Sequence, residues 1–401
     1  MTELLTRHKA MNEATERGDS AVQQFYSGAA VFVTGGSGFL GKQLIEKLLR
    51  ATNISKVFVL LRPKKGKTIE ERLNEMLQEP VNFARKVIPT DEVNIYHISV
   101  VQVHIIFHLA ATTRFDEPLR VATMINVRGT REALTLGKAC KNLKSYVHIS
   151  TAFSHTCDYR INAEVLEDFY QSPEHLRIWL YIFSLINSWP NTYSFAKAIA
   201  EDIVRTVGDD LPICIVRPAV GKYNVVHTVL SDDNIPMGFI PVDYVNNAII
   251  AAGWETAKRR VAGETKTKIY NVTTSTRNPG VWGKFVKLFT KMQKMMLALS
   301  YYSLNNWDFV DKNTATLYDN LSTVDREIFE FDVNKIDWRE YMFMWMVGIR
   351  KYILKDELKG TEYARKKQFY FKIVSCIIVP LYFYCLYKLL NFFVTLVFSV
   401  L

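Results

Sequence analysis

The chain has 401 residues, of which 49% are apolar and 22% charged, with a formal net charge of +10. This composition allows a large core and indicates two folded units. The Lys and Arg residues are scattered, with short clusters at 62–67, 258–260 and 365–367, which disfavours nucleic-acid binding. The five cysteines follow no ligand or disulfide spacing, so we expect free thiols, a reducing compartment and no metal site.

The first elements in chain order surround a glycine-rich turn. Residues 1–20 are polar and lack the apolar core of a signal peptide, and we expect a flexible N-terminal tail over 1–28. An apolar, β-branched run at 31–34 predicts a strand, and the periodicity of 42–49 predicts a helix. Three glycines lie between them, and this arrangement is typical of a dinucleotide site.

The glycines have distinct predicted roles. Gly35 would make the tight turn, Gly38 would let backbone approach a pyrophosphate, and Gly41 would let the helix pack closely on the strand. Free N–H groups at the helix start would face the phosphates. The predicted cofactor contacts in this turn are Gly35, Ser37, Gly38, Phe39, Leu40 and Gly41.

The second predicted strand, 56–61, bears on the choice of cofactor. A site for NAD carries a carboxylate about 20 residues past the last glycine. Here that region holds Leu61 and Arg62, followed by Lys64 and Lys65. The planar, always charged guanidinium of Arg62 suits a ribose 2′-phosphate, so the sequence favours NADPH. A solvated basic turn is the alternative interpretation.

Further strands and helices alternate along the chain. The sequence predicts a helix at 68–78, strands at 94–100 and 103–111, a helix opening at 126–130, and strands at 145–151 and 213–218. This alternation predicts an α/β fold with a Rossmann-type, doubly wound parallel sheet over 29–275. From 276 to 360 the pattern predicts a separate α-helical C-terminal domain.

The C-terminal segment, 369–401, is predicted to be a membrane anchor. Between 373 and 401 the only charged residue is Lys388, and the stretch is long enough to cross a bilayer. One tilted span and a re-entrant hairpin of 373–387 with 389–401 both remain open, and a buried core helix is a third interpretation. Basic residues at 365–367 favour a cytosolic catalytic part.

A tyrosine and a lysine carry the predicted chemistry. Tyr193 and Lys197 are four residues apart and therefore share one helical face. An adjacent ammonium would lower the pKa of the phenol, so that Tyr193 could donate a proton to a developing alkoxide. Ser150 and Thr151 end a predicted parallel strand, where such sheets bind ligands. With the glycine turn, these residues predict hydride transfer to a carbonyl.

In the order of these motifs the chain resembles the extended short-chain dehydrogenase/reductases, and most closely the alcohol-forming fatty acyl-CoA reductases with a male-sterility-type C-terminal domain. The matching segments are 33–42, 60–67, 107–118, 126–131, 147–153, 189–197, 215–218, 240–249, 317–322, 331–341 and 348–355. The resemblance implies roles for Thr151 (Ser150 as the alternative) as the catalytic hydroxyl, Tyr193 as the acid and Lys197 as the cation that lowers its pKa.

The resemblance also implies further cofactor contacts. Lys197 would hold the nicotinamide ribose, with Asn126 supporting it through a water or backbone contact. The remaining implied contacts are Ala110 and Ala111, which would line the cofactor, and Pro218 to Val220, which would border the nicotinamide.

The implied reaction is a two-step reduction of long-chain acyl-CoA by NADPH, through a hemithioacetal and an aldehyde, to a primary alcohol and free CoA. The enzyme would act on lipid at the endoplasmic reticulum or peroxisomal membrane. Its oligomeric state stays open, a homodimer being one option. The alternatives are a membrane-bound steroid-type dehydrogenase, a non-catalytic NADPH-binding scaffold, and a reductase that stops at the aldehyde.

Two departures from the family pattern stand beside intact motifs. Between the predicted strands 94–100 and 103–111 the expected helix is missing, and neighbouring parallel strands need a crossover of about a dozen residues. Either the third strand lies outside the sheet, or 94–110 forms one long strand. A second segment is missing after Val220. We expect skipped exons or an incomplete gene sequence, and weaker NADPH binding than in relatives.

Overall fold

The computed structural model describes residues 2–63, 66–78, 93–94, 102–169, 189–219, 240–274, 277–278, 301–302, 305, 307–348 and parts of 366–388. Two compact units comprise residues 1–336 and residues 337–401. The first unit contains the sheet and every predicted catalytic residue.

A parallel sheet of seven strands forms the centre of the first unit. Its strands are β1 (Ala30–Thr34), β2 (Lys56–Leu60), β3 (Val93–Asn94), β4 (Ile105–His108), β5 (Ser145–Ile149), β7 (Ile213–Pro218) and β8 (Lys268–Val272). Their order is β3-β2-β1-β4-β5-β7-β8, and every pair is parallel. All residues of β1, β4, β5 and β7 are buried, as expected for a sheet covered on both faces. The predicted α/β fold is confirmed.

Helices alternate with these strands as the periodicity predicts. They are α1 (Thr2–Arg17), α2 (Ala21–Tyr26), α3 (Phe39–Ala51), α4 (Ile69–Gln78), α5 (Leu119–Ala122), α6 (Gly129–Ala139), α7 (Thr192–Val207), α8 (Val242–Val261), α9 (Lys312–Asp319), α10 (Thr323–Ile328) and α11 (Trp338–Gly348). A π-helix, Thr123–Arg128, joins α5 to α6. The apolar face predicted for α3, which includes Leu44 and Leu48, is buried.

The N-terminal residues are folded, whereas the sequence predicts a flexible tail over 1–28. They form α1 and α2, and Tyr26 is fully buried with its hydroxyl donating to the Ile250 carbonyl at 2.8 Å. The hydroxyl of buried Ser20 donates to Asp325. These partners lie more than 220 residues away in sequence, so local polarity could not reveal the packing.

The third strand also differs from both predicted alternatives. Two-residue β3 pairs with β2 at the sheet edge, while β4 pairs with β1 on the other side. A single strand over 94–110 is therefore wrong, and so is a third strand outside the sheet. Because β2 and β1 separate β3 from β4, these two strands lie about 14 Å apart in the sheet.

Residues from the predicted helical domain lie in the same unit as the sheet. A small second sheet pairs β6 (Glu164–Val165) with β9 (Asp308–Phe309). The Glu167 carboxylate accepts two backbone hydrogen bonds. One comes from the Thr314 amide in the first turn of α9, at 3.2 Å, and the other from the Asn271 amide in β8, at 2.9 Å. The unit therefore ends at residue 336, whereas the sequence places a boundary at 276.

The second unit contains α11 and helical residues between 366 and 388. Phe369, Ile377 and Leu381 expose more than half of their surface. Within the described part of the chain, no helix is both long enough and apolar enough to span a membrane. The other residues of the predicted anchor lie outside the part that the structure describes.

Candidate active site

The glycine turn between β1 and α3 requires glycine at two positions. Gly35 has φ +72°, and a Cβ there would lie 2.7 Å from the Ala110 backbone nitrogen. At Gly41, a Cβ would lie 2.4 Å from the Gly35 carbonyl oxygen. Since neither space admits a side chain, the turn packs directly on the end of β4 and on the first turn of α3. This close-packed turn at a helix N-terminus fits a dinucleotide pyrophosphate.

The end of β4 is fixed beside this turn. The Ala110 amide donates to the Thr34 hydroxyl at 3.2 Å, and this hydroxyl also bonds to Nδ1 of buried His108 at 2.8 Å. Ala110 and Ala111 are partly exposed beside the glycine turn. The structure thus brings the predicted cofactor contacts at Gly35 and Ala110 together.

An arginine that the sequence reasoning missed lies next to the turn. Arg72, on α4, donates through Nη2 to the Ser37 hydroxyl at 3.1 Å and through Nη1 to the Arg62 carbonyl. Arg62 itself is exposed directly after β2. The Arg72 guanidinium therefore lies between the glycine turn and the segment that follows β2. Lys64 and Lys65 lie outside the described residues.

The Thr151 and Tyr193 hydroxyls meet at the carboxyl end of β5. Thr151 follows the strand in extended conformation, and Asn191 caps the helix that carries Tyr193 by accepting the Ser194 amide at 2.9 Å. Burial raises the pKa of Tyr193 to about 12, while a hydrogen bond with Thr151 lowers it. The phenol is therefore protonated at neutral pH, as a proton donor must be.

Lys197 is anchored to the sheet. Its buried ammonium donates to the Ile149 carbonyl, the last residue of β5, at 2.7 Å. Burial lowers the pKa of Lys197 to about 8, and the nearby Glu201 carboxylate raises it. The sequence assigned the lowering of the Tyr193 pKa to Lys197, whereas in the structure the lowering contribution comes from Thr151.

Asn126 lies in the π-helix and holds the loop after β4. Its side-chain oxygen accepts the Thr112 amide at 2.8 Å, and its Nδ2 donates to the Thr112 carbonyl at 3.1 Å. The Asn126 carbonyl accepts the Thr130 hydroxyl at 2.6 Å. These bonds fix the loop that contains Ala110 and Ala111.

The remaining predicted positions are less central. The buried Ser150 hydroxyl has no hydrogen-bond partner in the described structure, unlike the hydroxyl of Thr151. Pro218 is the buried last residue of β7. Val220 lies outside the residues that the structure describes.

A buried ionic cluster lies one helical turn beyond Lys197. Glu201 accepts Arg217 Nη2 at 2.6 Å and the Ser154 hydroxyl at 2.9 Å, and His155 Nε2 lies 3.2 Å from the same carboxylate. Burial and the Arg217 charge lower the pKa of His155 to about 4, so this imidazole is neutral. Two signals were available in the sequence: a carboxylate four residues after Lys197, and an arginine inside an apolar strand.

Together, the glycine turn over a parallel sheet and the Tyr/Lys helix beside a strand-end hydroxyl define a Rossmann-fold oxidoreductase of the class that uses a nicotinamide dinucleotide. Two family models, both described as male sterility protein, match this chain, one at 33–96 and 91–221, the other at 269–356. The chain therefore belongs to the male sterility family, that of the fatty acyl-CoA reductases.

Relatives agree with this assignment, and a solved structure shares the fold. Fatty acyl-CoA reductase 1 of Xenopus laevis is 29% identical over 86% of this chain and 88% of its own. Fatty acyl-CoA reductase wat of Drosophila melanogaster is 27% identical over 94% of both chains. The fold resembles the terminal R domain of the myxalamid PKS-NRPS pathway, with a TM-score of 0.54 and 18% identity, covering 79% of this chain and 92% of that one.

The alignments also show that relatives contain residues missing here. The alignment with the Drosophila protein extends over 497 positions, although this chain has only 401 residues. The first family model matches in two pieces that meet at 91–96, next to the first departure noted in the sequence. These observations agree with the expectation of internal gaps.

Proposed function

We propose that this protein reduces long-chain fatty acyl-CoA to the primary alcohol and free CoA with NADPH. The observation that carries the proposal is the hydrogen-bonded pair of Thr151 and Tyr193 at the strand end, in the same sheet edge as the glycine turn. The similarity to fatty acyl-CoA reductases over most of the chain supports the acyl-CoA substrate.

The residues of the site fit the two carbonyl reductions. When bound, NADPH supplies the hydride for each. Thr151 and Tyr193 would donate hydrogen bonds to the oxygen that becomes negative as the carbonyl carbon is attacked. Collapse of the resulting hemithioacetal releases CoA thiol and leaves an aldehyde. In the second reduction Tyr193, which is protonated at neutral pH, would give its proton to the alkoxide.

Lys197 has a separate task in this proposal. Its bond to the Ile149 carbonyl fixes the ammonium beneath the strand end, where it would orient the nicotinamide ribose. This task requires the protonated amine, which the Glu201 carboxylate supports.

The preference for NADPH over NADH rests on two guanidinium groups. Arg72 is held at the glycine turn by Ser37, and Arg62 follows β2, so both could bind a 2′-phosphate by charge-assisted hydrogen bonds. Arg72→Gln should lower the preference for NADPH over NADH by about tenfold or more. Arg131→Gln, at an exposed arginine elsewhere, is the control. An unchanged ratio in the Arg72 variant would contradict this assignment.

Activity is tested with purified protein, NADPH and palmitoyl-CoA, with hexadecanol measured by gas chromatography. Tyr193→Phe should lower kcat by about 1,000-fold because the general acid is lost, which leaves a small residual rate. Thr151→Ala should lower kcat by about 100-fold because one oxyanion donor is lost. Ser150→Ala distinguishes the two strand-end hydroxyls, and a stronger effect than that of Thr151→Ala would overturn the assigned roles. Alcohol formation by the Tyr193 variant at the rate of the unsubstituted protein would refute the mechanism.

A chain that binds NADPH but has lost catalysis is the second candidate. The residues present in relatives and missing here favour it. It predicts that NADPH quenches or enhances protein fluorescence on titration while no alcohol forms. Weaker NADPH binding than in relatives stays a prediction, and the same titration, run beside the Xenopus protein, measures it.

We also propose that the C-terminal segment attaches the protein to the cytosolic face of an endoplasmic reticulum or peroxisomal membrane. The support is the row of exposed apolar side chains between 369 and 387, following the basic residues at 365–367. Flotation with phospholipid vesicles should recover the full chain and not a chain ending at residue 364. Equal recovery of both would contradict the proposal, and imaging against organelle markers separates the two membranes.

A further inference from the structure

The phenol of Tyr302 contacts the beginning of the helix that carries Tyr193. Asn191 Nδ2 donates to the Tyr302 oxygen at 2.6 Å, and the Tyr302 and Ser194 hydroxyls are 2.6 Å apart. Because the phenol oxygen accepts from Asn191, its own proton is available to Ser194. Burial raises the pKa of Tyr302, which keeps this proton in place at neutral pH.

These bonds complete the cap of α7. Asn191 accepts a hydrogen bond from the Ser194 amide through Oδ1 and donates one to the Tyr302 hydroxyl through Nδ2. Both polar atoms of the capping side chain are therefore held in place. Ser194 is fully buried, and the Tyr302 hydroxyl is the partner that the structure gives its side chain. Tyr193, between Asn191 and Ser194 in sequence, is therefore held from both sides.

The ring of Tyr302 also belongs to an aromatic wall around Tyr193. The centroid of the Tyr302 ring lies 4.5 Å from that of Phe153 and 5.9 Å from that of Phe115. The Phe115 centroid in turn lies 5.8 Å from that of Tyr193. Phe153 is two residues past Thr151, so the wall touches both elements that supply hydroxyls to the site. A residue near the C-terminal part of the first unit thus contacts both sides of the catalytic pair.

We infer that Tyr302 is a positioning residue, whose hydroxyl holds the first turn of α7 so that the Tyr193 phenol faces Thr151 and the substrate carbonyl. This inference rests on the proposed reductase function. It assigns a role in the chemistry to the region C-terminal to the sheet, through two hydrogen bonds that a phenylalanine cannot make.

The first test uses kinetics in two backgrounds. Tyr302→Phe keeps the ring and should lower kcat by about tenfold, with the KM for NADPH unchanged, because a misplaced catalytic group costs rate before binding. Tyr301→Phe is the matched control, since that hydroxyl donates to exposed Asp158, away from α7. In a Tyr193→Phe background, Tyr302→Phe should cause no further loss of the residual rate. An equal fold loss in both backgrounds would overturn the inference.

The second test needs no catalysis and separates this inference from the proposed function. Hydrogen exchange of the amides of 192–195 should become about tenfold faster in Tyr302→Phe and in Ser194→Ala, and stay unchanged in Tyr301→Phe. The double variant Tyr302→Phe/Ser194→Ala should be no faster than either single one. If the unsubstituted protein forms no alcohol, faster exchange still supports the positioning contact. Unchanged exchange in Tyr302→Phe overturns it, whether or not the enzyme is active.

Discussion

Glu201 balances the charge of Arg217, a fully buried guanidinium of β7, and the removal of Glu201 should be costly. Arg217 has no exposed surface and Glu201 is 1% exposed. The guanidinium makes its ionic contacts with Glu201, through Nε at 3.0 Å and Nη2 at 2.6 Å, and its other acceptors include the Leu166 and Asp168 carbonyls. Glu201→Gln leaves this charge without a counter-charge, because nearby His155 is neutral.

The expected loss in the free energy of unfolding is about 3–5 kcal/mol, the usual cost of breaking a buried ion pair by removing one partner. This is a large fraction of the about 5–15 kcal/mol that stabilises a typical domain. Urea denaturation at pH 7, followed by circular dichroism, measures the loss. Asp202→Asn is the matched control on the same helix: its partner Arg205 and Asp202 are each about half exposed, so the change should be under about 1 kcal/mol.

The double variant Glu201→Met/Arg217→Met tests the reasoning further. Because two apolar side chains leave no charge unpaired, it should recover most of the stability that Glu201→Gln loses. The reasoning is refuted if Glu201→Gln destabilises the protein no more than Asp202→Asn does.

Three other predictions concern the turn, acid stability and the rate profile. Gly35→Ala places a Cβ at a position with φ +72°, against the Ala110 backbone. Fluorescence titration should therefore show weaker NADPH binding, and urea denaturation should show a free energy of unfolding lower by about 1–3 kcal/mol. Burial lowers the pKa of His108 to about 3, so the unfolded chain takes up this proton first, near pH 6.5. The contribution of His108 to stability is complete above that pH and is lost on acidification towards pH 3. The melting temperature should therefore fall less steeply between pH 7 and pH 4 for His108→Gln than for the unsubstituted protein. Equal slopes would contradict the prediction. Burial lowers the pKa of Lys197 to about 8, so alcohol formation should decline as pH rises through 8, and Lys197→Met should show a lower rate that is flat across this range.

The parts of the site that depend on local pattern could be predicted from the sequence. Strand β1, the glycine turn and the start of α3 are encoded within a dozen neighbouring residues, and Tyr193 and Lys197 share a face through helical spacing alone. Ser150 and Thr151 could be identified as a pair because a strand end has a fixed place in a parallel sheet, and the choice of Thr151 came from the family resemblance.

Contacts between distant segments could not be predicted in this way. Arg72 reaches the glycine turn only because α4 folds back beside it, and Tyr302 meets α7 across more than 100 residues of sequence. Helix α1 is polar in composition, and Tyr26 of α2 is bonded to α8 across more than 220 residues of sequence. The edge strand β3 is two residues long, too short for alternation of side chains to reveal.

The most direct test of the central claim is the fate of the hydride. Purified protein is incubated with palmitoyl-CoA and NADPH carrying deuterium at both C4 positions, and the products are analysed by mass spectrometry. The two reductions proposed for the Thr151 and Tyr193 site predict hexadecanol with two deuterium atoms at C1, formed about 1,000-fold more slowly by Tyr193→Phe. Unlabelled hexadecanol, an aldehyde with one deuterium as the final product, or no reduced product at all would contradict the account.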